Sequence, residues 1–109
     1  MADAGWELQA ARQLVVSCFR PRSGALRIRV IGELDAAVAG RFHDQIRALF
    51  AGPLGKVELD LAGVGFCDAA GGRAIIAARG RGVTSGVKVL LVAVHPAVRH
   101  VLQLLGEDL

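Results

Sequence analysis

The segment from Val57 to Ala74 constrains this chain most, because it reads as a strand running directly into a helix. Val57, Leu59 and Leu61 alternate with Glu58 and Asp60 in the period-two pattern of a strand. A turn spaced by Gly63 and Gly65 follows. Then comes Phe66-Cys67-Asp68-Ala69-Ala70-Gly71-Gly72-Arg73-Ala74, a helix start surrounded by small side chains. A helix N-terminus offers unpaired backbone N–H groups and a partial positive charge, so an anion or a partner can dock there.

The flanking segments extend the same alternation. Leu14 to Phe19 is apolar and β-branched, a first strand, and Pro21-Arg22-Ser23-Gly24 is a turn cluster. Leu26, Ile28 and Val30 alternate with Arg27 and Arg29 as a second strand, which predicts an antiparallel hairpin at a sheet edge. Asp35 is placed to cap a helix whose Val38, Phe42, Ile46 and Leu49 fall on one face, opposite His43, Asp44 and Arg47. Gly52-Pro53 is expected to end it.

A second helix is predicted from Gly71 to about Arg81, with Ile75, Ile76 and Ala78 inward and Gly82 and Gly86 at its exit. Val87 to Val94 is almost continuously apolar, the pattern of an interior strand covered on both faces. Pro96 suits the first turn of a last helix carrying Val98, Val101, Leu102 and Leu105, with Gly106 as its stop. The order ββαβαβα argues an α/β domain with a mixed, mostly parallel sheet flanked by helices. Residues 1–13 read as a tail or lead-in and 14–109 as the domain.

Two motifs resemble those of the STAS domain, the fold of bacterial anti-sigma factor antagonists. One is Gly32-Glu33-Leu34-Asp35, like the family's turn between second strand and first helix. The other is the strand ending in Asp60-Leu61, followed by Asp68, a small residue and Gly71. The resemblance spans Leu14 to Gly106. It implies a non-enzymatic module that binds an anti-sigma factor, often a kinase, and so frees a sigma factor.

In the family a Ser or Thr after the Asp is phosphorylated, and the added charge abolishes the complex. Here that position is Ala69, so the switch is absent or relocated; the remaining candidate acceptors are Thr84 and Ser85, placed in the loop after the second helix. The partner surface implied comprises Gly32, Glu33, Asp35, Asp68, Ala69, Ala70, Gly71, Gly72 and Arg73. Asp35 and Asp68 are equally readable as plain helix caps. The resemblance also allows a STAS subunit or scaffold of another complex, such as an ABC-type lipid transporter or a stress-signalling assembly. A homodimer is allowed.

Composition narrows the classes. With 109 residues and 53% apolar content, the chain suffices for one core and is too apolar for disorder. No apolar run approaches the ~18–20 residues of a membrane span, and no signal peptide is evident, so a cytoplasmic protein is expected. Cys18 and Cys67 are then expected as buried thiols.

The net charge of +3 comes mostly from scattered arginines, with no tyrosine and no nucleic-acid motif, which argues a solvated basic surface over nucleic-acid binding. Cys67 with His95 as nucleophile and base has nothing to bring the pair together, and His95 before Pro96 reads as an ordinary helix cap or loop residue. Gly52 to Val57 lacks the spacing and the Ser/Thr of a phosphate loop. Gly71-Gly72 lacks the rest of a dinucleotide fingerprint. His43, His95 and His100 show no metal-ligand spacing, so no metal or cofactor is expected.

Overall fold

The computed structural model describes residues 14–21, 24–49, 55–84 and 86–109. In chain order the elements are β1 (Val15–Phe19), β2 (Leu26–Leu34), α1 (Ala36–Leu49), β3 (Lys56–Cys67), α2 (Ala69–Thr84), β4 (Lys88–Val94) and α3 (Pro96–Leu104). This is the ββαβαβα order that the alternating patterns predict. The sheet order is β1-β2-β3-β4, with β1 antiparallel to β2 and the remaining pairs parallel. The predicted hairpin at the sheet edge is therefore present, and between its strands the Gly24 N–H donates to the Pro21 carbonyl at 3.1 Å; Arg22 and Ser23 lie outside the described residues.

Strand alternation decides where the core sits. Leu26, Ile28 and Val30 of β2 and Val57, Leu59 and Leu61 of β3 enter a single core with Phe42 and Ile46 of α1, Ile75 and Ala78 of α2, and Val98 and Leu102 of α3. The other alternate set, including Phe19, Arg27, Arg29, Glu58 and Asp60, lies on a face that no helix among the described residues covers. Arg27 there donates through Nε and Nη2 to Glu58 Oε1, and Arg29 stands 3.4 Å from Asp60 while its guanidinium lies over the Phe19 ring. Among the described residues, the helices thus lie on one side of the sheet.

That layering overturns the expectation for Val87–Val94. β4 is an edge strand, and Leu90 and Leu91 are only partly buried while Val92 is exposed. Each βα crossover advances the chain by one neighbouring position, which leaves the last strand outermost. An apolar run cannot by itself distinguish cover on two faces from cover on one face plus a neighbouring strand.

Three further expectations are corrected. The glycine-spaced segment Ala62–Gly65 is not a turn: β3 runs unbroken to Cys67, absorbing the glycines as register shifts against β2 near Arg29–Ile31 and Gly32–Glu33. Gly63 sits where a Cβ would come within 2.9 Å of Ile31 Cγ1. α2 begins at Ala69 and continues to Thr84, through Gly82, which is buried against Val89 of β4. Thr84 is therefore the last helical residue and not a loop residue. Cys18 is exposed, because β1 is an edge strand; Cys67 is buried and both thiols are free. The expected tail at residues 1–13, the helix stop at Gly52-Pro53 and Ser85 lie outside the described residues.

The caps follow the sequence. Asp35 accepts from the Ala37 N–H at 3.0 Å at the start of α1. His95 caps α3 through Nδ1, with Pro96 in the first turn. At the other end of α3, Gly106 adopts φ +93°, and the Gly106 and Glu107 N–H groups donate to the carbonyls of Gln103 and Leu102 in a Schellman closure.

Candidate functional site

The two motifs meet at the C-terminal ends of β2 and β3. Leu34 and Cys67 are register partners there, and the next residue of each strand begins a helix junction. Asp68 holds the junction. One of its oxygens, Oδ1, accepts from the Gly71 N–H at 2.8 Å and caps α2. The other, Oδ2, accepts from the Ala36 N–H at 3.0 Å, at the first residue of α1. Its own N–H donates to the Leu34 carbonyl at 3.3 Å. A single carboxylate thus satisfies donors at two helix starts, where partial positive charge also favours it.

The small residues after Asp68 divide into two sets. Gly71 and Gly72 are buried. A Cβ at Gly71 would lie 2.0 Å from the Leu34 carbonyl oxygen, so only glycine lets α2 start so close to the end of β2. A Cβ at Gly72 would meet Leu105 and Val101 of the α3 segment at 2.7 and 2.9 Å. Ala69 and Arg73, by contrast, are exposed one turn apart on the outer side of α2, and Ala70 is half-buried.

Of the surface expected from sequence, Ala69, Ala70 and Arg73 face outward from α2. Glu33 and Asp35 are half-buried on the adjoining turn. Gly32 is half-buried with φ +128°, a conformation that favours glycine and lets β2 shift register just before that turn. Gly71 and Gly72 shape the site from beneath.

One exposed residue near these strand ends was passed over in the sequence reading. Phe66 is 48% exposed, opposite Glu33 in the β2–β3 register and two residues before Asp68. An aromatic ring left in solvent is a common constituent of protein interface cores. The glycines at 63 and 65, which break the alternation of β3 just before it, were the available signal.

Other candidates fall away from the site. The Thr84 hydroxyl donates to the Gly80 carbonyl at 2.9 Å, and the fifteen-residue separation along α2 puts it about 22 Å from Ala69. His95 follows Val94, the register partner of Leu61, which leaves it roughly 15 Å along the strand direction from Cys67. Burial, and secondarily the Asp68 carboxylate, push the Cys67 thiol up to about 11, so it is protonated and unreactive near neutrality.

Fold and site together define an α/β domain with a presented helix start. The family described as "Mlab, STAS domain" matches residues 19–108. The chain belongs to the STAS domain family. Among solved structures, an anti-sigma factor antagonist from Mycobacterium paratuberculosis is similar at 26% identity, with a TM-score of 0.72 and coverage of 87% of this chain and 80% of that one.

The unphosphorylated anti-sigma factor antagonist SpoIIAA matches at 20% identity with TM-score 0.67, covering 84% and 81% of the two chains. The murine Slc26a9 anion transporter matches at 18% identity and TM-score 0.73, over 96% of this chain but 20% of that one. These two likenesses show the fold alone. A search of curated proteins gives no significant match. No helix among the described residues is long and apolar enough to cross a membrane.

Proposed function

We propose that the chain is a non-enzymatic antagonist that binds an anti-sigma factor and frees a sigma factor, without phosphorylation control at its helix start. The observation that carries this reading is the position of Ala69. It is the first residue of α2, exposed and directly after the Asp68 junction, with Arg73 exposed one turn further on. The likeness to the mycobacterial antagonist supports it. A side chain without a hydroxyl keeps this surface permanently in its uncharged form.

The docking face comprises the Gly32–Asp35 turn, Ala69, Ala70 and Arg73, with Asp68, Gly71 and Gly72 holding its shape. The partner is an anti-sigma factor of kinase type, and the reading places the complex in the bacterial cytoplasm. A carboxylate at position 69 imposes desolvation and repulsion where the family's phosphate acts. Titration calorimetry with the anti-sigma factor identified by affinity capture tests this. Ala69→Glu weakens the complex by at least ~1–2 kcal/mol; unchanged affinity in a folded variant shows that the partner docks elsewhere.

A second reading is favoured by the matched family's own description, which is not that of an antagonist. In it the same face docks on a subunit of an ABC-type lipid transporter. Gene neighbourhood separates the two: a kinase-type ATPase or sigma factor beside the gene supports the first, a permease with its ATPase the second.

A further inference from the structure

The sheet face turned away from the helices is ordered in rows. Strand register aligns Phe19, Arg27, Glu58 and Leu90 in one row, Ser17, Arg29, Asp60 and Ala93 in the next, and Val15, Ile31 and Gly63 in a third. Of the exposed large apolar residues among those described, Val15, Phe19, Ile31 and Phe66 lie on this face, which no described helix covers.

The charges at its centre follow the strands. Arg27 and Arg29 sit on β2, with Glu58 and Asp60 directly opposite on β3. Arg27 bonds Glu58 and Arg29 stands 3.4 Å from Asp60, so the centre is neutral. A partner of one charge sign gains no net attraction from it. A lipid surface would have to desolvate both pairs.

A second copy, turned by 180° about an axis that runs along the strands between β2 and β3, meets this pattern differently. Each β2 then lies over the other copy's β3 with the rows kept. Arg27 comes over the partner subunit's Glu58 and Arg29 over the partner subunit's Asp60, so every arginine has two carboxylates beside it. β1 falls over β4, which sets Phe19 on the partner subunit's Leu90. Ile31 falls on the partner subunit's Gly63, where no side chain stands in the way. An axis across the strands instead puts β2 on β2 and arginine on arginine, at a cost in repulsion.

We infer that this face is a self-association surface, joining two copies of the chain sheet on sheet with their strands parallel. Four strands span about 19 Å and three rows about 20 Å, less than the ~800 Å2 that each partner covers in a standard complex. The dimer is therefore weak and dissociates on dilution. It does not depend on the proposed function, because the helix starts stay outside the contact, and both copies present them at the same end.

Sedimentation velocity across protein concentrations reads the association, and circular dichroism checks folding. The parent is expected to pass reversibly from monomer to dimer, and Ile31→Asp to weaken the dimer about tenfold or more. Arg29→Asp/Asp60→Arg exchanges one ion pair while keeping opposite charges together in each chain. It is expected to associate with itself within about threefold of the parent, yet to bind labelled parent about tenfold or more weakly, because like charges then meet at both positions. If this exchange impairs folding, Ile31→Asp decides alone. Ala69→Glu, on the helix side, is expected to leave the association unchanged.

A parent that stays monomeric to millimolar concentration, an unweakened Ile31→Asp, or a mixed pair as tight as either pair alone overturns the inference. Loss of the dimer in Ala69→Glu does the same, since the copies then meet at the helix starts. So does a monomer whose single tryptophan, Trp6, changes its emission in Ile31→Asp, since residues 1–13 then occupy the face. The calorimetric test of the anti-sigma complex reads the other side of the sheet and stands apart from each of these outcomes.

Discussion

The segment Asp68–Arg73 has an inner side and an outer side, and the two respond to different demands. Asp68, Gly71 and Gly72 are fixed by what lies beneath: two helix starts, the Leu34 carbonyl and the α3 segment. Ala69 and Arg73, on the same turn, touch nothing that requires their identity. A short motif can thus be half architecture and half surface. Its resemblance to a family comes mostly from the architectural half, whereas the proposed docking uses the other.

The sharpest way to break this division is to substitute on the inner side. Gly71→Ala forces a methyl into the Leu34 carbonyl and is expected to cost about 3 kcal/mol or more of unfolding free energy, read by urea denaturation. A cost under 1 kcal/mol means that α2 can start further from β2 than the structure has it. Asp68→Ala removes two charge-assisted caps and is expected to cost about 2–3 kcal/mol. Asp68→Asn, which keeps its oxygen for one helix only, falls between Asp68→Ala and the parent.

A smaller effect appears in alkali. The Cys67 thiol sits near 9.0 when unfolded and at about 11 when buried, so between those values the folded state holds the proton more often. The contribution is complete below pH 9 and is lost as pH rises toward 11. The thermal midpoint therefore declines across that window, and the decline shrinks in Cys67→Ala. At neutral pH a thiol reagent labels exposed Cys18 well before Cys67. Equal rates would place Cys67 on the outer side.

The smallest stability change belongs to the outer side. Ala69→Ser and Ala69→Glu are expected to shift unfolding by under about 0.5 kcal/mol, since a polar or acidic group is tolerated at a helix start. Incubation with the anti-sigma kinase and ATP should leave parent Asp68–Gly72 unmodified and label Ala69→Ser, as read by phosphopeptide mapping. Phosphate on Thr84 of the parent would move the switch to the far end of α2.

Much of the fold was legible because local chemistry and tertiary position agree. The alternation of Leu26, Ile28 and Val30 with arginines, the Asp35 and His95 caps and the Gly106 stop each act within a few residues. Position within the sheet was not legible from Val87–Val94, since neighbours from distant segments decide whether an apolar strand is central or outermost. The site was legible as a motif but not as a surface. Nothing local distinguishes Gly71, pressed on a carbonyl, from Ala69 in solvent, and Phe66 is exposed because it alternates with buried Cys67.

The two hydrogen bonds that the Asp68 carboxylate accepts also bear on the order of events as the chain is made. Ala36 and Asp68 are 32 residues apart in sequence. Asp35 can cap its own helix locally as soon as α1 forms, but the Ala36 N–H has no protein acceptor until β3 has been synthesised and laid beside β2. Vectorial synthesis therefore leaves the start of α1 incomplete until the second motif emerges. Closing this junction is a late step in folding, because it requires both parallel strands in register before either helix start is fully held.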